Sequence, residues 1–379
     1  MRNYVSIVGA GIGGLTHAIA LAHRGIHSEI LERAPQIAEV GAGVQISPNG
    51  MAVLRALGLG DALEKASIES RAVHLTDGLT GRSLIRMPMK SRDYRLVHRA
   101  TLIAILEGAA RDAGVTIRPG TRVESAQDGT AATFVIDGGT EETGFAVGAD
   151  GINSVLRPAL NGTDRAEFTG QVAWRATIAA DAPPEAQIFV GPGRHLVAYP
   201  LSEGRLNLVA VEERADWAEE GWHVEGDPDA LRRAFAGFAS PVADWLRIVE
   251  TCHLWGLYVH PVARVWHGRS MALLGDAAHP TLPFLGQGAN LALEDAWCLA
   301  AALSRDDRDA ALADYHASRA PRVARAIAMA NSNARNYHLS GAIKAAAHAG
   351  LKLANLAPGI MLKRFDWLYG HDVTAEPSM

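Results

Sequence analysis

The chain holds only two cysteines, Cys252 and Cys298, far apart and outside any CxxC spacing. That pattern argues against a disulfide framework and against a cysteine zinc site, so no metal is expected and a reducing cytoplasm fits. A basic excess is missing as well: 36 Lys and Arg stand against 41 Asp and Glu, giving a formal charge of −5 and a pI near 6.3. Without a run of Lys and Arg to neutralise a phosphate backbone, nucleic acid is not expected as a partner. Long apolar runs are also lacking. Val5 to Leu21 is broken by Gly9, Gly11, Gly13 and Gly14 and followed by Glu29 and Glu32, with no small-residue cleavage pattern. It therefore reads neither as a signal peptide nor as a membrane span of roughly 20 residues, and no membrane partner is expected. Internal repeats and low-complexity tracts are absent.

What is present suffices for a large core or two fused ones: 379 residues, 48% of them hydrophobic and 20% charged. Tyr4 to Val8 is a short β-branched run, Gly14 to Arg24 has helical apolar spacing, and Ser28 to Leu31 is a second apolar run ending at Glu32. Together they form a βαβ unit. A helix is expected from about Ala100 to Ala113, stopped by Gly114, with strands at Val115 to Ile117, Thr133 to Ile136 and Phe145 to Gly148. Short strands near Ala173 to Ile178, Gln187 to Val190, His195 to Tyr199 and Leu206 to Val211 then predict a sheet-rich second lobe. Asp227-Pro228 starts a helix expected to reach about Ala239, Met271 to Leu274 returns to a buried parallel strand, and long helices are expected over Gln287 to Leu303 and Ala310 to Tyr337. Ala342 to Leu356 reads as a further Ala-rich helix.

Gly9-Ala10-Gly11-Ile12-Gly13-Gly14 is a GxGxxG sequence in its proper place, after a strand and opening a helix. Gly9 permits the tight turn, Gly11 lets a pyrophosphate reach the backbone, and Gly14 lets the helix sit close to the strand. The helix N-terminus adds N–H groups and partial positive charge. Glu32, 18 residues past Gly14, ends the second strand, where a carboxylate accepts ribose hydroxyl protons. This motif alone does not choose between NAD and FAD. The far end of the chain adds Gly275-Asp276-Ala277-Ala278-His279-Pro280, then the turn Pro280 to Pro283, and Gly286-Gln287-Gly288-Ala289-Asn290 opening a helix. Two strand-end sites about 260 residues apart in sequence can hold both ends of a long dinucleotide. Asp276 would bond a polyol hydroxyl, and N–H groups at Gly288, Ala289 and Asn290 would face an electron-rich ring.

On these motifs, with Asp150-Gly151-Ile152-Asn153-Ser154-Val155-Leu156-Arg157, the sequence resembles the group A flavoprotein aromatic hydroxylases, the family of salicylate hydroxylase and 3-hydroxybenzoate 6-hydroxylase. Gly41-Ala42-Gly43-Val44-Gln45-Ile46-Ser47-Pro48-Asn49, His98-Arg99 and Asp366-Trp367-Leu368-Tyr369-Gly370 extend the likeness over nearly the whole chain. The resemblance implies an α/β fold, in which a Rossmann-like FAD-binding domain (1–75, 97–170 and 265–340) is interleaved with a mixed β-sheet substrate domain (76–96 and 171–264) and followed by C-terminal helices (341–379). By the same resemblance Arg33 would flank the adenosine, Val44 would belong to the cofactor site, Arg99 would contact the FAD linker, and Val123 would meet the adenine through its backbone. Asp150 would serve both FAD and a site for reduced nicotinamide, and Gly286 would also serve FAD. NADH or NADPH would bind without a Rossmann domain of its own.

The reaction implied is hydroxylation of a phenolic aromatic acid of hydroxybenzoate or salicylate type by O2 through a flavin hydroperoxide, as in aromatic compound catabolism. Such an oxidant needs an electron-rich ring, and a base with pKa near the working pH makes the phenolate, which points to histidine. His195 shares a strand face with Val197 and Tyr199, and the resemblance gives it the role of base. Tyr199 is a candidate for binding a substrate hydroxyl or carboxylate, with a core role as the alternative. Pro283 would lie beside the flavin, in an apolar turn with Phe284 and Leu285 that keeps water out. His260, where relatives have another residue, reads either as a second titrating group or as a surface replacement, the latter being the favoured reading. A hydroxylated N-heteroaromatic or larger phenolic natural product is the alternative substrate, and an NAD-dependent dehydrogenase or a flavin-binding sensor is the alternative class. Both monomer and homodimer stay open.

Overall fold

The computed structural model describes residues 4–37, 43–89, 93–163, 166–215 and 224–375. One half is built on a five-stranded sheet in the order Met271–Leu273, Ala146–Gly148, Tyr4–Val8, His27–Glu32, Thr116–Pro119, with every neighbouring pair parallel. Parallel sheets need cover on both faces, and Ile7, Ile30, Val147 and Leu273 are accordingly fully buried. The helix Ile12–Ala22 is buried along most of its length, including Leu15, Ala18 and Leu21. It packs beside the helix Gly288–Leu303, to which His17 donates its Nδ1–H at the Ala296 carbonyl, 2.9 Å away. Burial without an acidic partner pushes the His17 pKa down to about 4, so this tie is made by a neutral ring.

The other half is an eight-stranded mixed sheet: Glu225–Gly226, Cys252–Val259, Glu167–Ala179, Arg205–Glu213, Arg194–Leu201, Ala186–Gly191, Ala72–Asp77, Ser83–Pro88. Side chains alternate across it as a two-residue period requires. Val172, Trp174, Ala176, Leu196, Leu208 and Ala210 point to one core with Phe235 and with Leu231, Trp245 and Leu246 of two short helices. Ala173, Val190, Val211 and Trp255 point the opposite way, toward Leu282, Phe284 and Tyr337. Small sheets at Val123–Gln127, Ala132–Ile136, Gly139–Thr143 and at Gly43–Ile46, Arg95–His98, Ile68–Glu69 complete the body.

The interleaved α/β architecture expected from the sequence is the one found, with one helix shorter than expected. Asp227 caps the helix at Pro228 by accepting the Asp229 N–H, but the helix ends at Ala234 rather than near Ala239. Phe235 and Phe238 both turn into the core beneath the sheet, which a continuing helix with Gly237 inside it does not achieve. The long C-terminal helix runs over Arg308–Tyr337, and Gly341–Ala354 follows. Among the described residues no helix is long and apolar enough to cross a membrane.

A buried ion cluster joins the long helix to the late motif. Arg319 pairs with Glu294 at 2.6 Å and Asp295 at 2.8 Å, Arg322 pairs with Glu294 at 2.7 Å, and Asp295 holds His279 at 2.5 Å. Burial alone would raise the Asp295 pKa; His279 and Arg319 outweigh it and hold the carboxyl down to about 2. Its stabilising effect is therefore present above the unfolded value of about 3.9 and is lost as pH falls toward the folded value. Arg319→Met takes one cationic partner from each of two buried carboxylates, so urea denaturation at pH 7 should show a loss of about 3–5 kcal/mol, shrinking as the pH is lowered through the carboxylate range.

Candidate active site

Because the five strands run parallel, the carboxyl ends of Tyr4–Val8, Ala146–Gly148 and Met271–Leu273 lie on one edge, and their loops carry the three separated motifs. Gly9 takes φ +103°, and a side chain there would strike the Ala149 carbonyl. A Cβ on Gly14 would lie 2.0 Å from the Gly9 carbonyl oxygen, so helix and strand touch backbone to backbone. A Cβ on Gly11, by contrast, would have no atom within 4 Å, because it opens into a cavity. The motifs also hold one another: Arg157 donates to the Ala278 carbonyl at 3.1 Å and to the Pro261 carbonyl at 2.6 Å.

This cavity, of about 480 Å³, lies between the carboxyl edge and the second face of the eight-stranded sheet. Gly11, Gly13, Val44, Arg99 and Asp276 line one side, and Gly286, Gly288 and Ala289 continue it beside Pro283. His195, Val197, Tyr199, Arg175 and Trp255 line the sheet side. Thus the structure brings together the catalytic candidates His195, Tyr199 and Pro283 with eight of the expected cofactor residues. Glu32, Arg33 and Val123 lie outside the cavity, beyond the glycine turn. Glu32 reaches that turn by accepting the Ala10 N–H at 2.8 Å and also accepts the Ala34 N–H. Each carboxylate oxygen keeps a second acceptor site for a ribose hydroxyl. Arg33 is exposed and Val123 buried at a strand start. Gly41 and Ala42 of the Val44 segment lie outside the described residues.

Electrostatics suit an anionic ligand. The helices Ile12–Ala22 and Gly288–Leu303 both begin at this cavity, and neither has a side-chain cap or an acidic residue in its first turn. Their first N–H groups precede the first intrahelical bonds, from Leu15 to Gly11 and from Leu291 to Gln287. Asp150 accepts the Val155 N–H with Oδ2, while its buried Oδ1 has no partner. Asp276 faces the open cavity, yet the protein around it disfavours charge and raises its pKa, with His279 and Arg99 opposing. The Asn290 side chain is not a ligand group: Oδ1 accepts the Ser47 N–H, and Nδ2 donates to the Gln45 and Gly286 carbonyls. Only its backbone faces the helix start. These features, two uncapped helix starts and a buried carboxylate oxygen without a partner, fit a dinucleotide with its phosphates and hydroxyls.

On the sheet side, His195 is 1% exposed and its Nδ1 lies 2.7 Å from His338 Nε2. Burial pushes the His195 pKa well below its ordinary value, and His338 pushes the same way. Burial likewise raises the Tyr199 pKa, which keeps that hydroxyl protonated as a donor. His260, expected at the surface, is instead half-buried on the cavity wall. Arg175 and His338 escaped the sequence reading. Arg175 sits in an apolar strand whose alternation with Ala173 and Thr177 was its only signal, and nothing local announces His338.

The match to known proteins agrees with this geometry. The family described as FAD binding domain matches residues 2–330. A 3-amino-4-hydroxybenzoate 2-monooxygenase of Streptomyces platensis is 33% identical, over 98% of this chain and 96% of its own. A 3-hydroxybenzoate 6-hydroxylase of Polaromonas naphthalenivorans is 32% identical, over 97% and 96%. The Klebsiella pneumoniae HpxO structure with FAD and uric acid superposes with a TM-score of 0.83 at 27% identity, covering 96% of this chain and 97% of that one. The chain belongs to the group A flavoprotein aromatic hydroxylases, FAD-dependent monooxygenases.

The glycines separate folding from cofactor binding. Gly11→Val should leave the melting temperature of the apoprotein unchanged yet weaken FAD by roughly tenfold or more, about 1.4 kcal/mol. Gly14→Ala should lower the melting temperature itself. Thermal melts and flavin-fluorescence titration check both.

Proposed function

We propose that this enzyme hydroxylates the ring of a phenolic aromatic acid of hydroxybenzoate type, with NADH or NADPH as electron donor. One observation carries the reading: an imidazole, a phenol and a guanidinium, His195, Tyr199 and Arg175, open on the same cavity as the glycine turn and the start of the Gly288–Leu303 helix. The substrates named for the Streptomyces and Polaromonas relatives each combine a phenol with a carboxylate, which is the pair of groups these side chains suit.

Bound FAD supplies the reductive activation of O2 that delivers one oxygen atom to the ring. The protein's part is to position, to ionise and to exclude water. Arg175 holds the substrate carboxylate by charge-assisted hydrogen bonding. His195 takes the phenolic proton through Nε2, since Nδ1 is committed to His338, and the phenolate so formed is far more reactive toward an electrophilic oxidant. Tyr199, held protonated, donates to a substrate oxygen. Leu282, Pro283 and Phe284 form the apolar wall of the cavity and keep it dry. The N–H groups of Gly288, Ala289 and Asn290 would stabilise negative charge on a reduced flavin. Glu32, Arg33 and Val123 would hold the adenosine end, Asp150 and Asp276 would accept hydroxyl protons, and Arg99 would contact the linker.

A panel of hydroxybenzoates and hydroxypyridine carboxylates should contain a compound that stimulates NADH or NADPH oxidation, consumes O2 and yields a product one oxygen atom heavier. His195→Ala should keep FAD bound and lower the hydroxylation rate by about 10²–10⁴-fold, the usual weight of a positioned base. Stimulation without an oxygenated product throughout the panel, or wild-type turnover by the variant from pH 6 to 9, would contradict the reading.

A further inference from the structure

His195 is a buried base whose surroundings keep it neutral, so it is poorly suited to hold a proton through a catalytic cycle. A chain of groups leads away from it. Its Nδ1 is 2.7 Å from Nε2 of His338, the residue that ends the Arg308–Tyr337 helix. Nδ1 of His338 is 2.9 Å from Oε1 of Glu213, at the end of the strand Arg205–Glu213. The His338 side chain is 3% exposed and that of Glu213 57%, so three groups span from cavity wall to solvent. We propose that His195, His338 and Glu213 form a proton relay that carries the substrate's phenolic proton out of the cavity to water. The inference rests on the hydroxylase reading above and deepens it by naming the exit.

The hydrogen inventory fits one direction. The Glu213 carboxylate only accepts, so it fixes the hydrogen of His338 on Nδ1, leaving Nε2 to accept from the Nδ1–H of His195. Nε2 of His195 is then the basic nitrogen left for the cavity. On ionisation the phenol O–H bond breaks and a His195 Nε2–H forms. The His195 Nδ1–H breaks as a His338 Nε2–H forms, and the His338 Nδ1–H breaks as Glu213 is protonated and releases the proton to water. No electrons move. In the shifted state His338 Nδ1 is an acceptor, and the Gln171 amide nitrogen lies 3.4 Å from it, ready to donate. Protonation of the product phenolate by the reverse route restores the starting hydrogens. The walls around the relay are apolar rings, since Phe284 and Tyr337 pack on the His195 ring at 5.2 and 5.1 Å between centroids. Burial raises the Tyr337 pKa, so that ring stays neutral; burial first and then Arg194 disfavour charge on His338, with Glu213 opposing. Protons therefore pass through without a long-lived buried imidazolium.

The test uses oxidised holoenzyme mixed with 3-hydroxybenzoate or 3-amino-4-hydroxybenzoate in a stopped-flow instrument, following the phenolate absorbance across pH 6 to 9 in H2O and D2O. Wild type should ionise the bound phenol with a solvent isotope effect. His338→Gln should bind the probe normally but ionise it at least about tenfold more slowly, and His338→Ala should regain speed on addition of imidazole. Glu213→Gln, altered at an exposed side chain, should fold normally and slow ionisation less, because water reaches His338 in its place. Ionisation at wild-type rate with an unchanged pH profile in both Glu213→Gln and His338→Gln overturns the relay alone, provided His195→Ala still abolishes it. Wild-type enzyme that ionises neither probe overturns the relay and the substrate reading together.

Discussion

Two helices begin at one cavity with nothing of their own to satisfy their N-termini. Neither Ile12–Ala22 nor Gly288–Leu303 has a capping side chain or an early acid, and each concentrates unpaired N–H groups and partial positive charge at its start. An elongated ligand with phosphates at one point and a ring that carries negative charge when reduced at another would answer both. The parallel sheet sets up this arrangement, since it delivers the ends of its strands to a common edge whatever their separation in sequence.

Holding that edge in register falls to buried polar ties rather than to the apolar core alone. Glu32 fastens the glycine turn by its backbone, Arg157 grips the carbonyls of the late loop, and His279 anchors the same loop to Asp295 and thence to Arg319. Glu32 is half-buried, but Arg157, Asp295 and Arg319 are buried charges, costly unless paired. The cavity's two walls belong to different sheets, and Arg157 ties them by also donating to the Pro261 carbonyl, just past the strand Cys252–Val259.

Much of this is legible in the sequence, because the signals are local. Alternation places His195, Val197 and Tyr199 on one face, and GxGxxG between a strand and a helix needs only a short window. The pairing of His195 with His338 is different: 143 residues separate them, and periodicity carries no information about which distant helix end meets which strand. The same holds for Glu294 and Asp295. Two acids inside an apolar helix signal buried partners without saying that Arg319 and Arg322, a turn of another helix, supply them. The length of the helix after Asp227 is hidden for a related reason, since the pull of Phe235 and Phe238 into the sheet core is tertiary. His260 reads as a surface residue because the sequence does not reveal which strand ends border a cavity.

The central claim is that both helix starts serve one flavin whose ring faces His195. A crystal structure of the protein with FAD tests it most directly. The pyrophosphate is expected against Gly11 and Gly13, and the isoalloxazine between the start of Gly288–Leu303 and the His195 face of the sheet. FAD lodged elsewhere, or a ring separated from His195 by protein, would contradict it.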